Sequence, residues 1–284
     1  MRVLLSLAVL LLPLLGATSC SVILPADAVQ CEAAEDCIAR GFPTDTRCNQ
    51  QVCEAPPYDP IWGCLGMVEE PVAVPGETHM YSQLVVDALT GMPIPSLTSR
   101  LCSSVDVNCD APLVEDVPIT ADGRMEVTVI SGFRGYFEMT ADGFMQTLMP
   151  IGPIVKDSDP GAEKVQLART VVVESVARTA GFEVDPTKGH ILALLASCDG
   201  FGRAGVSFSH DPASGDQFYL IGLSPDVTAP ASDESGNSGV FNMDPGFVTL
   251  TATLHETGEF IGLQRVLVRA GSMTYMDLGP SSGP

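Results

Sequence analysis

Lysine is almost absent from this chain of 284 residues, which contains only Lys156, Lys164 and Lys188. Lysine and arginine together number 14 against 35 acidic residues, so the formal net charge is −21. A surface of this sign repels polyanions, and we therefore expect no nucleic acid among the partners. The acidity is typical of a protein that stays soluble outside the cell. The alternative is a calcium-binding surface, although no EF-hand loop or nonapeptide repeat is present.

The common catalytic and cofactor motifs are also missing. His79, His190, His210 and His255 do not occur in HExxH or at another short metal-ligand spacing. There is no GxSxG nucleophile elbow, no P-loop and no GxGxxG motif before a helix. We therefore expect no catalytic residue, no metal site and no cofactor. The chain could still be a hydrolase if two carboxylates that are distant in the sequence form a catalytic pair, as in glycosidases.

The longest apolar run lies at the amino terminus and is too short to span a membrane. It extends from Val3 to Leu15 behind the basic residue Arg2, whereas a spanning helix needs about 20 apolar residues. No later segment approaches that length. Residues 1–19 are therefore predicted to be a cleaved export signal.

Cys20 follows the small residues Ala17, Thr18 and Ser19, an arrangement that resembles a bacterial lipobox. The resemblance implies acylation of Cys20 and a short tether over residues 20–30. Cysteine parity agrees with it, because nine cysteines leave one unpaired in an oxidising compartment, whereas eight can form four disulfides. Ordinary cleavage next to Cys20 is the alternative. We thus expect a membrane partner, reached through the lipid, at the outer membrane or cell surface; periplasmic or secreted protein is the other option.

A disulfide-rich segment is predicted over residues 31–60. It contains Cys31, Cys37, Cys48 and Cys53, and a segment this small cannot bury a sufficient core without disulfides. Three pairings are available to these four cysteines among themselves, and we prefer Cys31–Cys48 with Cys37–Cys53. Zinc binding by these cysteines is the alternative to disulfides, but the segment has no CxxC pair and no nearby histidine.

The other four cysteines are Cys64, Cys102, Cys109 and Cys198. The polar, turn-prone sequence SSVDVN separates Cys102 from Cys109, and a loop this short closes at a small entropic cost. This predicts a Cys102–Cys109 bond. Cys64–Cys198 then follows by elimination.

Short segments with partial alternation of apolar and polar residues fill the chain beyond residue 60. They include QLVVDA, MEVTVI, GYFEMT, QFYLIGL, VTLTATL and VLVRAG, and turns rich in Gly, Asp and Pro separate them. The pattern predicts a mainly β fold with one β-sandwich over residues 61–155 and a second over 185–280. A linker with a short helix is expected over 156–184, and a tail over 281–284.

Turn residues recur at nearly the same spacing in the two halves. Asp87 and Gly123 are 36 residues apart, and Asp199 and Gly236 are 37 apart. A further glycine follows in each half, and four residues later comes an apolar residue, Tyr136 in the first half and Leu250 in the second. We therefore expect two separate sandwiches with the same strand order.

The second half resembles the carboxypeptidase regulatory-like domain, a prealbumin-like β-sandwich. The resemblance is carried by Ala204-Gly205-Val206, by the turn from Ser232 to Gly236 and by the segment from Phe241 to Ala252. With the lipobox and Trp62-Gly63-Cys64, the whole layout is similar to a group of lipoproteins from myxobacteria and their relatives. The resemblance implies two prealbumin (transthyretin)-like modules that fold, adhere or contact carbohydrate, and no catalysis.

The function expected from the sequence is a non-catalytic scaffold or adhesion unit of the cell envelope. The first alternative is a protein that binds a glycan or an envelope protein through the sandwich loops. The second is a hydrolase with an unrecognised carboxylate or histidine site. A cluster of carboxylates with shifted pKa values, or a histidine in a deep pocket, would favour the hydrolase.

Overall fold

The computed structural model describes residues 31–42, 46–49, 51–54, 59, 61–158 and 164–282. The predicted export signal, Cys20 and the tether lie outside the described residues. The chain forms two compact units, Met1–Tyr58 and Asp59–Pro284. In the described part of the chain, no helix has both the length and the apolar character needed to cross a bilayer.

Two disulfides hold the first unit. Its elements are helix α1 (Ala34–Ala39) and the antiparallel strands β1 (Arg47–Asn49) and β2 (Val52–Glu54). Cys31 is bonded to Cys48 and Cys37 to Cys53, with Cα–Cα separations of 5.8 and 5.6 Å. These are the pairs preferred from the sequence. The buried sulfur atoms take the place of a hydrophobic core, which a segment of this size cannot build from side chains.

Six strands form the first β-sandwich. They are β3 (Thr78–Asp87), β4 (Thr98–Ser103), β5 (Arg124–Ile130), β6 (Phe133–Thr140), β7 (Gln146–Ile154) and β8 (Val165–Leu167). One sheet has the order β5-β3-β8 and faces the strands β7-β6-β4. Side chains from both layers, among them Leu101, Met125 and Phe137, fill the core between them.

Helix α2 (Thr170–Thr179) leads from the first sandwich to the second. The second sandwich contains β9 (Gly189–Leu195), β10 (Val206–Asp211), β11 (Asp216–Ile221), β12 (Ser224–Asp226), β13 (Asn237–Met243), β14 (Gly246–Leu254), β15 (Phe260–Val268) and β16 (Ser272–Leu278). The sheet β10-β14-β15 packs on the strands β12-β11-β13-β9-β16 through a core that includes Ile191, Val240 and Leu250.

The two sandwiches have the same topology. The order β5-β3-β8 in the first corresponds to β13-β9-β16 in the second, and β4-β6-β7 corresponds to β10-β14-β15. The directions agree as well, because β3·β8 and β9·β16 are the parallel pairs while the other pairs of these sheets are antiparallel. The chain is thus a mainly β protein with two β-sandwich modules behind a disulfide-rich segment. The hairpin β11–β12 occurs in the second module alone.

The sandwiches are joined through their edges, which corrects the expectation of separate modules. β16 pairs in parallel with β7, with Ser272 opposite Gln146 and Thr274 opposite Leu148, so that eight strands form one continuous sheet. Tyr275 packs against the core of the first sandwich and Met276 belongs to the core of the second. Successive side chains of a strand point to opposite faces, so the two smaller sheets cover opposite faces of the shared sheet.

The segment predicted as a linker over 156–184 is part of the fold. β8 pairs in parallel with the end of β3, which extends the first sandwich beyond residue 155. Helix α2 is the expected short helix, and its Val173 and Ala177 pack against Phe218 and Phe241 of the second module. Burial of these apolar side chains outweighs the low helix propensity of three consecutive valines.

Tyr136 and Leu250, the apolar residues that end the repeated spacing, do not occupy equivalent positions in the two modules. Tyr136 packs with Cys102 and Leu148 on the side of the sheet away from its own core, whereas Leu250 lies inside the second core. The register of β6 shifts between Phe133 and Gly135. A bulge of this kind adds one residue to a strand, so the side chains that follow it point to the opposite face of the sheet.

Candidate functional site: a charged junction between the sandwiches

Two arginines and a glutamate meet where the second sandwich reaches the first. Glu138 lies on β6, and only 4% of its side chain is exposed. Arg100, its cross-strand partner on β4, donates from Nε to Glu138 Oε1 at 3.1 Å and also from Nη2. Arg269, which follows β15, donates from Nη1 to Glu138 Oε2. We call Arg100, Tyr136, Glu138 and Arg269 the charged junction.

Tyr136 extends the junction to a disulfide-closed loop. Arg269 donates from Nη2 to the Tyr136 hydroxyl at 2.8 Å, and its guanidinium lies 5.3 Å from the centroid of the tyrosine ring. The hydroxyl in turn donates to the carbonyl oxygen of Asp106. Asp106 lies between Cys102 and Cys109, which are bonded. Burial raises the pKa of the Tyr136 phenol, so that the hydroxyl stays protonated and keeps its role as a donor.

Both oxygens of the buried carboxylate are occupied by guanidinium groups. A buried carboxylate costs several kcal/mol unless it is paired and hydrogen-bonded, and removal of one partner leaves an uncompensated charge. The pairing fixes how β15 and β16 approach β4 and β6. For the same reason Glu138 has no free oxygen with which to accept a substrate proton, so its position suits a structural role.

A polar groove of about 400 Å³ lies beside the junction. Its lining side chains are Thr98, Arg100, Glu115, Asp116, Glu138 and Thr140. None of them is aromatic or aliphatic, whereas small-molecule sites are lined mainly by hydrophobic and aromatic side chains. The nearest approach between Arg100 and Glu115 is 3.9 Å. The groove therefore lacks the character of a substrate pocket.

Asp87 and Asp199, which begin the repeated spacing in the two modules, share a chemical role. Asp87 accepts the backbone N–H of Leu89 at 2.9 Å and is bound by Arg169 at 2.6 Å. The bond from Arg169 lowers the pKa of the Asp87 carboxyl. Asp199 accepts the backbone N–H two residues further on at 3.2 Å and is bound by Arg203 at 2.5 Å. Each aspartate closes a turn and holds an arginine, and neither is a free acid or base.

The four histidines lie on different elements. His79 is on β3, His190 on β9, His210 on β10, and His255 follows β14. His190 is fully buried; its Nδ1 accepts the backbone N–H of Asn242 at 3.1 Å, and its ring packs at 63° to the ring of Phe241. Burial lowers the pKa of His190 to about 4, an effect that Asp185 only partly opposes. This imidazole belongs to the protein interior.

His190 is expected to make stability depend on acid. Its folded pKa lies below the ordinary value of 6.5, so the unfolded chain takes up a proton first as pH falls. The free energy of unfolding is therefore full above about pH 6.5 and declines towards pH 4, by about 2–3 kcal/mol. His190→Asn keeps an acceptor for Asn242 but does not titrate, and urea unfolding between pH 7.5 and 4.5 should lose this part of the decline. The exposed control His255→Asn should keep it; equal declines for both variants would contradict the assignment.

All eight cysteines assigned to disulfides are bonded in pairs. Cys64 is bonded to Cys198 and Cys102 to Cys109, with Cα–Cα separations of 5.9 and 5.4 Å. Trp62, close in sequence to Cys64, packs against the core of the second sandwich. Among the described residues, the one group of three metal-ligand atoms that comes together is the sulfur of Cys31, Cys37 and Cys53. These atoms are in disulfides, and a thiolate is required for zinc.

The charged junction is not predicted by the sequence. One signal was present, since Glu138 stands in the apolar strand sequence GYFEMT, where a charge needs a buried partner. No spacing pointed to Arg269, which lies 131 residues further along the chain. The partner comes from another module, so only the three-dimensional arrangement reveals it.

No protein-family model and no curated protein sequence matches this chain. Among solved structures, it is similar to the minor pilin GBS52 of Streptococcus agalactiae, with 13% identity, a TM-score of 0.23 and coverage of 72% of this chain and 97% of that one. It is also similar to a streptococcal ancillary pilin, with 12% identity, a TM-score of 0.23 and coverage of 73% and 70%. It is also similar to BcpA, the major pilin subunit of Bacillus cereus, with 10% identity, a TM-score of 0.23 and coverage of 72% of this chain and 100% of that one. Likeness at this level carries no information on function.

Proposed function

We propose that this chain is an exported, lipid-anchored scaffold or adhesion unit of the cell envelope, in which the two sandwiches act together as one non-catalytic spacer. The observation that carries the proposal is the edge pairing of β7 with β16, reinforced by Glu138 between two arginines. Relative motion is the default for domains joined by a linker. A shared sheet with a buried ion cluster opposes such motion, which suits a spacer and not a closing cleft.

The titratable groups support the non-catalytic part of the proposal. The pKa of Asp106 is lowered chiefly by the backbone N–H of Ala111, and that of Asp233 chiefly by the N–H of Gly222. A general acid at neutral pH needs the opposite shift. His190 is sealed in the core and Glu138 is doubly paired. In the part of the chain that the structure describes, these groups therefore favour the scaffold over the hydrolase.

The anchor is tested by labelling Cys20. When the full chain is expressed in a Gram-negative host fed with labelled palmitate, the wild type should carry the label and sediment with the membranes. Cys20→Ala should lose the label and leave the membrane fraction, because the acylated thiol is gone. Ser19→Ala, which keeps a small residue before the cysteine, is the matched control and should stay labelled. Label retained in Cys20→Ala would refute the anchor.

A further inference from the structure

The chain contacts the second sandwich before it has formed the first. Trp62 packs against the core of the second sandwich. The backbone N–H of Cys198 donates to the carbonyl oxygen of Ile61 at 3.0 Å, and Cys64 is bonded to Cys198. We call residues 61–64 the entry segment. Two modules in tandem do not require this contact, because the chain continues from the entry segment to β3 of the first module.

The last strand of the second sandwich ends at the same place. β16 ends at Leu278, which lies opposite Leu195 at the end of β9. The backbone N–H of Ala196 donates to the carbonyl oxygen of Leu278 at 3.2 Å. Ala196 is followed two residues later by Cys198, the partner of the entry segment. Residues 196–198 therefore connect the entry segment with the end of β16.

The first sandwich lies within the covalent loop that the Cys64–Cys198 bond closes. This loop contains the strands β3 to β8, helix α2 and β9. Without the bond, tension that enters at Cys64 would run through all of these elements, beginning with β3 at Thr78. Hydrogen bonds and side-chain packing hold them in place, and each such contact is weak on its own. The covalent S–S bond instead transmits the tension directly from Cys64 to Cys198.

We infer that the Cys64–Cys198 bond keeps the first sandwich out of the path of tension when the protein is pulled between its entry segment and the end of β16. The bond also limits how far the protein extends. An extended residue spans about 3.5 Å, so the closed loop, with a sequence separation of 134, holds back about 470 Å of length. The inference deepens the scaffold function proposed above and rests on it only for the source of the tension.

The test is to pull single molecules of the purified mature chain by handles at its two ends, with optical tweezers, and to measure the total extension. The Cys64→Ser/Cys198→Ser variant should extend about 470 Å further than the wild type, because its first sandwich is then exposed to the tension and unfolds. Cys102→Ser/Cys109→Ser is the matched control. This second bond lies inside the closed loop, so its removal should leave the extension as in the wild type.

A second measurement on the wild type does not depend on the folding of a variant. Once the second sandwich has unfolded under tension, dithiothreitol should reduce the Cys64–Cys198 bond by thiol–disulfide exchange. The loop should then be released in steps that sum to about 470 Å. Release of this length before reduction, or none after it, would overturn the inference.

Equal extension of the wild type and the Cys64→Ser/Cys198→Ser variant would also overturn it, because the first sandwich would then resist tension without the bond. The same holds if the control extends as far as that variant. The assay uses the chain without its lipid. A failure here therefore leaves the Cys20 labelling experiment untouched, and a failure of labelling leaves the pulling measurement valid.

Discussion

Replacement of Glu138 by glutamine is expected to lower the free energy of unfolding by about 3–5 kcal/mol. The amide keeps the size of the side chain but removes the charge that binds Arg100 and Arg269. Arg269 is then left without this counter-ion, and Arg100 keeps only the exposed Glu115 at 3.9 Å. Urea unfolding of the mature chain at neutral pH measures the loss.

An exposed ion pair provides the control for this experiment. Glu70 and Arg134 are 3.1 Å apart, but their side chains are 72% and 54% exposed. Such pairs contribute about 0–1 kcal/mol, so Glu70→Gln should change little. The triple variant Arg100→Met/Glu138→Leu/Arg269→Met should recover most of the stability, because well-packed apolar residues can replace a buried ion cluster. Equal effects of Glu138→Gln and Glu70→Gln would show that the junction does not bear on stability.

Removal of the Cys64–Cys198 disulfide should cost about 4–5 kcal/mol. The bond closes a segment with a sequence separation of 134, and in the chain-entropy view a longer loop restricts the unfolded state more strongly. The Cys64→Ser/Cys198→Ser variant should therefore unfold at a clearly lower denaturant concentration. The native-state contribution is smaller, since Cys64 loses only the bond from its backbone N–H to Cys198 Sγ at 3.2 Å.

The second disulfide of this unit supplies a comparison of loop lengths. Cys102 and Cys109 have a sequence separation of 7, for which the same relation gives about 2 kcal/mol. Cys102→Ser/Cys109→Ser should thus lose about half as much stability as the Cys64→Ser/Cys198→Ser variant. The reverse order would mean that strain or packing, and not loop closure, controls the two bonds.

The shared topology of the two modules could be predicted from turn and alternation signals because these signals are local. The glycines at Gly123 and Gly236 each precede a strand of the expected kind, and both have positive φ values, 88° and 65°, which favour glycine. Alternation in VTLTATL identified the buried and outer sides of β14. The pairs Cys102–Cys109 and Cys31–Cys48 lie close in sequence, so short-range reasoning was sufficient to propose them.

The junction between the sandwiches could not be predicted because it depends on contacts between distant segments. The pairing of β7 with β16 brings Gln146 opposite Ser272, and nothing in either strand specifies the partner of an unpaired edge. Residues 156–184 were predicted to be a linker because the sequence KDSDPGAEK over 156–164 is polar and contains turn-forming residues. The hairpin β11–β12, absent from the first module, carries no signal that distinguishes an insertion from a regular strand of the repeat.

We expect the two sandwiches to move as one rigid unit, and the distribution of distances between spin labels on the two modules measures this. Spin labels at Thr128→Cys on β5 and Ser209→Cys on β10, both exposed positions, report on the two modules while the native disulfides stay intact. We expect a single narrow distribution, as narrow as that of a pair of labels placed within the first sandwich. A broad or two-peaked distribution would contradict it, because the shared sheet and the Glu138 cluster would then not fix the relative positions of the modules.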